Sequence, residues 1–367
     1  MINIEDINKI DRIHSYPAKY TAEMLEYYIN KYTNKNDCIL DPFVGSGTTL
    51  LAARWLGRRS VGFDINPVAY QISKVKTNTY DKKDFNKINF FEKKTIDFFE
   101  NINKEKFEIV NYDSINHWFR KNVIIGLSAI RHCIKAYNED EKIADLCYLA
   151  FSIVILPLSN QESDTRYSAK DKGEISVEEV LKVFISKLKD IFDIAILTKK
   201  LNSDSKVYLT DSNLINKTLK KNSVDFLITS PPYPNTYDYY LYHKHRMLWL
   251  GYDFKPVMEK EIGSRREFSS LKKEASKFTD DLYKIFLSAN YSLKKGAYIV
   301  IIIGDGKISG EKYDSREHTL LIAEKLKWKL IEEKYTELDK TSRNFQQSFR
   351  TKGKKEYFLV FEKVEEV

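Results

Sequence analysis

The feature that most constrains the fold is an uninterrupted series of strand, glycine-rich turn, helix, strand and acid near the start of the chain. The apolar residues Cys38-Ile39-Leu40 lead into Asp41-Pro42-Phe43-Val44-Gly45-Ser46-Gly47, and Thr48 to Leu56 has the spacing of an amphipathic helix. Ser60-Val61-Gly62-Phe63 is typical of a second strand, and it ends at Asp64. This order is the repeating unit of a doubly wound parallel sheet. We therefore predict an α/β fold.

The glycine-rich turn predicts a ligand over the carboxyl end of the first strand. Gly45 and Gly47 let the backbone approach a ligand that larger side chains would block. The run lacks the third glycine of a dinucleotide motif and the Lys-Ser/Thr of a P-loop, which disfavours a dinucleotide or a triphosphate. Asp41 suits an ammonium group, and Asp64 can accept hydrogen bonds from ribose hydroxyls. S-adenosylmethionine, a nucleoside that carries an amino acid, fits both acids; the alternative for each acid is a helix cap or a turn residue.

A second motif, Ser230-Pro231-Pro232-Tyr233, follows the apolar run 224–229, which has the composition of a buried strand. Two consecutive prolines cannot continue a central strand, because each lacks a backbone N–H and has a fixed φ. The chain must leave the sheet here as a stiff turn with a hydroxyl, exposed carbonyls and an aromatic ring. These groups can hold a planar base and accept hydrogen bonds from its amino group. The alternative is a rigid turn whose Tyr is only a packing residue.

The remaining pattern predicts two regions. Residues 1–75 and 205–367 hold the strands and helices of the doubly wound sheet, and we interpret them as the catalytic core. Residues 76–204 are dense in helical patterns and form a mostly helical insertion, interrupted by a polar loop at 159–167. The late runs 327–333 and 356–362 indicate an antiparallel pair of strands at one edge of the sheet.

The overall composition is compatible with a soluble protein that binds a polyanion. The chain has 367 residues, a formal net charge of +8 and three widely spaced cysteines, which suit a reducing cytoplasm. No apolar run approaches the roughly 20 residues of a membrane span. The N-terminus lacks the features of a signal peptide, and the His/Asp spacing gives no metal-ligand pattern. We therefore expect no membrane and no metal.

Three segments taken together resemble one family. Residues 41–49, 57–67 and 229–233 resemble the amino-methyltransferases of DNA, the restriction–modification enzymes that methylate cytosine N4 or adenine N6, in the subgroup that carries Ser-Pro-Pro-Tyr. The run His14 to Tyr20 looks like the N-terminal cofactor motif of that family. Asp211-Ser212 fits the family's motif near the cofactor adenine.

The resemblance implies a Rossmann-like S-adenosylmethionine-dependent methyltransferase sheet, with S-adenosylmethionine as cofactor and double-stranded DNA as substrate. It also implies a bacterial or archaeal cytoplasmic protein that acts at the nucleoid, with a cognate restriction endonuclease encoded nearby as a candidate partner. The implied catalytic residues are Ser230, Pro231, Pro232 and Tyr233. The implied cofactor-binding residues are His14, Pro17, Lys19, Asp41, Phe43, Gly45, Gly47, Thr48, Asp64, Asn66, Asp211 and Ser212.

Two cues bear on the target base and they conflict. Ser at the first position of the catalytic motif is typical of cytosine-N4 enzymes, whereas Asp or Asn is typical of adenine-N6 enzymes. The cofactor motif precedes the catalytic motif here, unlike the permuted order common among cytosine-N4 enzymes. Because Ser230 would touch the substrate, we predict cytosine N4. Adenine N6, an RNA amino-methyltransferase such as a tRNA guanine-N2 enzyme, and an inert nucleic-acid-binding module are the alternatives.

The predicted chemistry needs no covalent intermediate. Ser230 Oγ and the Pro231 carbonyl can accept the two N–H bonds of an exocyclic amine, whose lone pair is otherwise delocalised into the ring. Tyr233 would stack on a base flipped out of the duplex. No cysteine follows a proline, which disfavours methylation at cytosine C5 through a Cys nucleophile.

Basic residues around these motifs are candidate DNA contacts. Lys244 and Arg246 lie on an aromatic helix after the catalytic turn, and Arg265, Arg266 and Arg166 lie in polar loops. The alternatives are a solvated helix face for the first two and capping or salt-bridging arginines for the others.

Overall fold

The computed structural model describes residues 2–17, 20–163, 166–201, 203–337 and 354–365 of the chain. These residues form two compact units. The first consists of 1–15, 74–201 and 240–256 and is mainly helical; the second consists of 16–73, 202–239 and 257–367 and contains the main sheet. The helical unit therefore includes two segments, 1–15 and 240–256, that we predicted to belong to the catalytic core.

The main sheet has seven strands in the order β10-β11-β7-β6-β1-β2-β5. The neighbours from β7 to β5 pair in parallel, whereas β11 is antiparallel to both β7 and β10. The predicted doubly wound sheet is confirmed, and so is the late antiparallel pair, although β11 lies inside the sheet and only β10 is at its edge. The strands of the chain are β1 (Cys38–Asp41), β2 (Arg59–Asp64), β3 (Gln161–Ser163), β4 (Arg166–Ala169), β5 (Ser205–Leu209), β6 (Val224–Thr229), β7 (Leu293–Gly304), β8 (Gly306–Ile308), β9 (Glu311–Tyr313), β10 (Trp328–Glu337) and β11 (Lys355–Lys363).

Helices surround the sheet and build the other unit. They are α1 (Ile4–Asp11), α2 (Ala22–Tyr32), α3 (Thr48–Trp55), α4 (Pro67–Thr77), α5 (Asp84–Glu100), α6 (Ile115–Trp118), α7 (Lys121–Ala136), α8 (Glu141–Leu158), α9 (Val177–Ala195), α10 (Ile215–Thr218), α11 (Tyr239–Leu250), α12 (Lys255–Lys260), α13 (Ala275–Ser292) and α14 (Ser315–Lys325). Among the described residues, no helix is long and apolar enough to cross a membrane.

Both faces of the main sheet are covered, which explains why its central strands are apolar without interruption. Along β7, Ile299, Ile301 and Ile303 face one core with α13 and α14, while Val300 and Ile302 face the other core with α2 and α3. The alternation follows from the period of two in a strand. Two-sided burial fixes the register, because a slip of one residue would exchange the two sets of side chains.

The helical unit packs α7, α8 and α9 against one another, with α5 on the same bundle. Helix α9 begins with a capping box, in which the Ser176 hydroxyl accepts from the Glu179 backbone N–H and the Glu179 carboxylate accepts from the Ser176 backbone N–H. The prediction of a polar loop at 159–167 is wrong in part. Residues 161–163 and 166–169 pair as an antiparallel hairpin, stabilised by local contacts such as Arg166 to Glu162.

Candidate active site

A cavity of about 990 Å³, counted to its open mouth, lies at the carboxyl edge of the main sheet, inside the unit that carries that sheet. Asp41, Asp64, Asp211 and Ser230 come from the ends of four different strands and all line it. Strands β1 and β6 are neighbours at the point where the strand order reverses, which is where doubly wound sheets bind ligands.

The glycine-rich turn after β1 forms one wall of the cavity. The Val44 N–H donates to the Phe63 carbonyl at 3.0 Å, and the Gly47 N–H donates to the Val44 carbonyl at 2.8 Å. Gly45 has φ +49°, and a Cβ there would lie 3.2 Å from Cε1 of Tyr16, another residue of the cavity wall. A side chain at position 45 would therefore press on the ligand-facing surface. Phe43 and Thr48, two of the predicted cofactor residues, also line this wall.

Asp64 is held by the turn itself. Its two carboxylate oxygens accept from the Gly45 N–H at 3.0 Å and from the Asn66 N–H at 2.8 Å. Burial raises the pKa of Asp64 to about 6. The two hydrogen bonds act in the opposite direction and limit this rise. A carboxylate has about four lone-pair sites, so Asp64 can still accept a hydrogen bond from a ligand.

Asn66 supplies a buried donor to the same cavity. The residue is 3% exposed, and its Oδ1 accepts from the Val68 N–H at 2.9 Å, which caps the start of α4. Its Nδ2 has no hydrogen-bond partner among the described residues. A buried amide donor without a partner costs free energy unless a ligand or water accepts from it.

Asp41 links the two motifs of the site. Its Oδ1 accepts from the Thr229 hydroxyl at 2.6 Å and from the Phe43 N–H at 3.0 Å. Burial raises the pKa of Asp41, and the hydrogen bonds from Thr229 and Thr49 oppose that shift. Because Thr229 immediately precedes Ser230, the acid that ends β1 also fixes the end of β6.

Asp211 and Ser212 also line the cavity. The Ser212 hydroxyl donates to the Pro42 carbonyl at 2.5 Å, which ties the segment after β5 to the turn after β1. The Asp211 Oδ1 accepts from both the backbone N–H and the Nδ2 of Asn213, each at 2.9 Å. One oxygen of Asp211 is thus engaged in capping.

The turn 230–233, predicted to be catalytic, reaches the cavity through two of its four residues. Ser230 and Pro232 line the cavity, whereas Pro231 is buried beside it. Tyr233 is half-buried; its hydroxyl donates to the Glu356 carboxylate and its ring packs on Gly304. Burial raises the pKa of the Tyr20 and Tyr233 phenols, and the Ser230 side chain opposes that shift in both.

The N-terminal motif is divided between the two units. His14 belongs to the helical unit, is 2% exposed, and shares hydrogen bonds with the Ser152 hydroxyl at 3.1 Å and the Ser15 carbonyl at 2.6 Å. Pro17 is half-buried and is not among the residues that line the cavity. Lys19 lies outside the described residues.

Several cavity residues were not among the site residues predicted from the sequence, although Tyr16 and Tyr20 lie within the predicted N-terminal cofactor motif. The rings of Tyr16 and Tyr239 both line the cavity and stack with centroids 6.0 Å apart, and Tyr20 lies beside them. The Tyr239 N–H donates to Glu261 Oε1 at 2.7 Å, and Glu261 lines the cavity next to Lys260. The aromatic composition of the helix after the catalytic turn was a signal for Tyr239, but Glu261 lies in a segment without any motif.

The residues predicted to contact DNA differ in how deeply they are buried. Arg246 is 3% exposed and donates from Nε to the Ser152 carbonyl at 3.2 Å, which is a structural position and corrects its assignment as a phosphate contact. Lys244 is half-buried, with its Nζ 4.7 Å from the Phe254 ring centroid and 5.7 Å from that of Tyr167. Arg166 is exposed and pairs with Glu162 at 2.9 Å.

Arg265 and Arg266 belong to a π-helical turn in the unit with the main sheet. Asp238 accepts from Nε of Arg265 at 3.3 Å and from the backbone N–H of Arg266 at 3.0 Å. Asp238 therefore fixes this turn relative to the segment that follows the catalytic motif. Across the residues that the structure describes, no cluster of three or more His, Cys, Asp or Glu side chains could hold a metal ion.

A doubly wound sheet with a glycine turn after β1, an acid at the end of β2 and a proline-rich turn after β6 defines a Rossmann-like methyltransferase. A family model described as DNA methylase, of the N6/N4 type, matches residues 3–75. Residues 3–75 are therefore similar to the DNA amino-methyltransferases. The cofactor is S-adenosylmethionine. The resemblance stated from the motifs is thus confirmed at the level of the family.

Three Type II methyltransferases illustrate the similarity. The chain is 22% identical to M.MjaII of Methanocaldococcus jannaschii, over 87% of this chain and 76% of that protein. It is 27% identical to M.MvaI of Kocuria varians, over 60% of this chain and 52% of that protein. It is 25% identical to M.BsoBI of Geobacillus stearothermophilus, over 78% of this chain and 62% of that protein. The matches to the second and third relatives thus span about half to three fifths of each protein.

Proposed function

We propose that the protein transfers a methyl group from S-adenosylmethionine to the exocyclic N4 amine of a cytosine flipped out of double-stranded DNA. The observation that carries this proposal is the position of Ser230, which faces the same cavity as Asp41 and Asp64. A methyl donor held by the two acids and an amine held at Ser230 would share one enclosed space.

The residues of the cavity fit the cofactor. Asn66 offers a buried Nδ2 donor that has no partner within the described part of the chain, and Gly45 leaves open the space that a Cβ would narrow. Asp64 would accept from the ribose hydroxyls, Asp41 would face the ammonium group, and Asp211 and Ser212 would lie near the adenine. When bound, the cofactor supplies an electrophilic methyl group on a sulfonium.

Ser230 and Pro231 would act on the amine. An exocyclic amine is a poor nucleophile because its lone pair is delocalised into the ring. Hydrogen bonds from the amine to Ser230 Oγ and to the Pro231 carbonyl would hold its nitrogen in an attacking geometry, which combines positioning with electrostatic stabilisation. Pro231 and Pro232 keep this turn stiff, so the turn loses little conformational freedom when the base binds.

Contacts with DNA are assigned to both units. Arg265 and Arg266 near the catalytic turn, and Lys244 and Arg166 in the helical unit, would neutralise phosphates. Within the region 76–204, helices and the β3–β4 hairpin would contribute to recognition of the target sequence. Like other restriction–modification enzymes, the protein would act in a cell whose own nuclease cuts the unmethylated site.

Adenine N6 is the second candidate, because the cofactor motif precedes the catalytic motif in this chain. To decide, the protein is incubated with S-adenosylmethionine and mixed-sequence duplex DNA, and the digested nucleosides are identified by mass spectrometry. We expect N4-methylcytosine. N6-methyladenine alone would refute the cytosine assignment, and methylation of RNA alone would refute the DNA substrate.

A further inference from the structure

The catalytic turn is anchored by a side chain that none of its motifs contains. The hydroxyl of Tyr233 donates to Oε1 of Glu356, a residue on β11 that is 123 positions away in the sequence. Both side chains are half-buried. Burial raises the pKa of both groups, and the hydrogen bond from Tyr233 lowers that of Glu356.

The ring of Tyr233 is held from a second direction by the sheet. A Cβ built on Gly304 would lie 2.6 Å from Cε2 and 2.7 Å from Cδ2 of Tyr233, so the ring occupies the space that a side chain at position 304 would need. Gly304 ends β7, and its register partner on β11 is Glu356. One cross-strand pair therefore supplies both the surface under the ring and the acceptor for its hydroxyl.

This arrangement also sets the direction of hydrogen bonds at the turn. An ionised carboxylate only accepts hydrogen bonds, so Glu356 engages the single proton of the Tyr233 hydroxyl. Tyr233 and Ser230 belong to the same four-residue turn, which its two prolines make stiff. An anchor on Tyr233 therefore also limits the movement of Ser230.

We propose that Glu356 is a positioning residue for methyl transfer, which acts through Tyr233 to fix the catalytic turn that carries Ser230. The expected effect of Glu356 on kcat rests on the proposed function. The anchoring of the ring does not depend on that function and can be measured by itself.

The test compares Glu356→Ala, Glu356→Gln, Tyr233→Phe and the double variant Glu356→Ala/Tyr233→Phe. Loss of the hydrogen bond from Tyr233 to the Glu356 carboxylate predicts a decrease in kcat of roughly 10-fold or more. We expect Glu356→Ala and Tyr233→Phe to lower kcat to a similar degree, with no further loss in the double variant. The dissociation constant for S-adenosylhomocysteine should not change. Glu356→Gln, which keeps an acceptor oxygen, should restore most of the turnover.

The control is Glu362→Ala, an acid on the same strand whose register partner is Tyr298, six positions before Gly304 on β7. It should leave kcat unchanged. Additive losses in the double variant, or an equal loss in Glu356→Gln and Glu356→Ala with the fold intact, would overturn the proposal.

Ring-labelled tyrosine NMR separates this inference from the proposed function, because it needs no substrate. The Tyr233 signal, assigned through Tyr233→Phe, should shift in Glu356→Ala and stay in place in Glu356→Gln and Glu362→Ala. An unchanged signal in Glu356→Ala would refute the anchoring. If the wild-type protein methylates no DNA while the signal shifts as expected, the proposed function fails and the anchoring stands.

Discussion

Single carboxylates at this site owe their properties to the backbone around them. Asp64 is half-buried, which raises its pKa to about 6, while the N–H groups of Gly45 and Asn66 each donate to one of its oxygens. The balance keeps the carboxylate ionised at neutral pH and close to its titration range. Ligand binding at this position should therefore depend on pH.

The affinity for S-adenosylhomocysteine should decrease as the pH falls below about 6, because a protonated Asp64 loses part of its capacity to accept from ribose hydroxyls. The decrease can reach tenfold per pH unit, and Asp64→Asn should bind weakly and without this dependence. Calorimetric titration between pH 5 and 7.5 measures both. A constant wild-type affinity over that range would contradict the ribose role.

The unliganded protein should show the opposite trend in stability. The pKa of Asp64 is higher in the folded state than the roughly 3.9 of an unfolded chain, so the folded state binds more protons between these values. The contribution of Asp64 to the free energy of unfolding therefore decreases as pH rises from about 4 to about 6. Comparing wild type with Asp64→Asn by thermal melting isolates this contribution.

Ser230→Ala should lower kcat by about 10- to 100-fold, because it removes one acceptor for the amine while the turn itself remains. Binding of S-adenosylhomocysteine should not change. Ser223→Ala is a matched control, since Ser223 precedes the same strand at its other end and its hydroxyl donates to the Lys220 carbonyl at 2.7 Å. Equal activity in the two variants would contradict the assignment of Ser230.

At the scale of elements, the turn after β1 depends on close packing against α4. Gly47 has φ +80°, and a Cβ there would lie 2.7 Å from Cβ and 2.9 Å from Cα of Ser73. The backbone atom cannot rotate away as a flexible side chain would. Gly57 at the end of α3 has a similar φ of +77°, but the nearest atom to its Cβ would be 4.0 Å away.

Gly47→Ala should therefore lower the free energy of unfolding by about 2–4 kcal/mol, from a strained φ and from overpacking. Gly57→Ala carries the φ strain alone and should cost about 1 kcal/mol. Denaturant melts of the two variants measure the difference. A similar decrease in the free energy of unfolding for both variants would show that packing against Ser73 does not contribute to stability.

The sequence predicted those elements whose signals are local. The strand ends at Asp64 and Thr229, the glycine turn and the stiff proline turn all follow from adjacent residues. It did not predict that the polar loop pairs as a hairpin, because cross-strand pairs such as Arg166 with Glu162 leave no periodicity. Nor did it predict that Arg246 is buried on the Ser152 carbonyl or that Glu261 lines the cavity, because both depend on interactions between distant segments.

At the scale of the whole molecule, the net charge of +8 favours association with a polyanion, although acids are interspersed with the basic residues. The charged side chains proposed to contact phosphates come from both units. Non-specific attraction and positioned contacts can be distinguished by their dependence on salt.

Charge reversal at Arg166, Lys244 or Arg265 should weaken DNA binding and reduce the slope of log K against log salt by about 1 for each phosphate that the variant no longer neutralises. Lys329→Glu is the control, because Lys329 is exposed at the start of the edge strand β10 and does not line the cavity. Fluorescence anisotropy with a labelled duplex at several salt concentrations measures the slopes. Slopes equal to that of Lys329→Glu would exclude these side chains from the interface.

The interior position of β11 has a consequence for biosynthesis. Residues 355–363 pair with β7 on one side and β10 on the other, and Glu356 meets a tyrosine that is translated 123 codons earlier. The ribosome exposes the cofactor turn long before this strand emerges. Until this strand emerges, Tyr233 lacks its hydrogen-bond partner, so the turn proposed to be catalytic acquires its anchor only when residues 355–363 have joined the sheet.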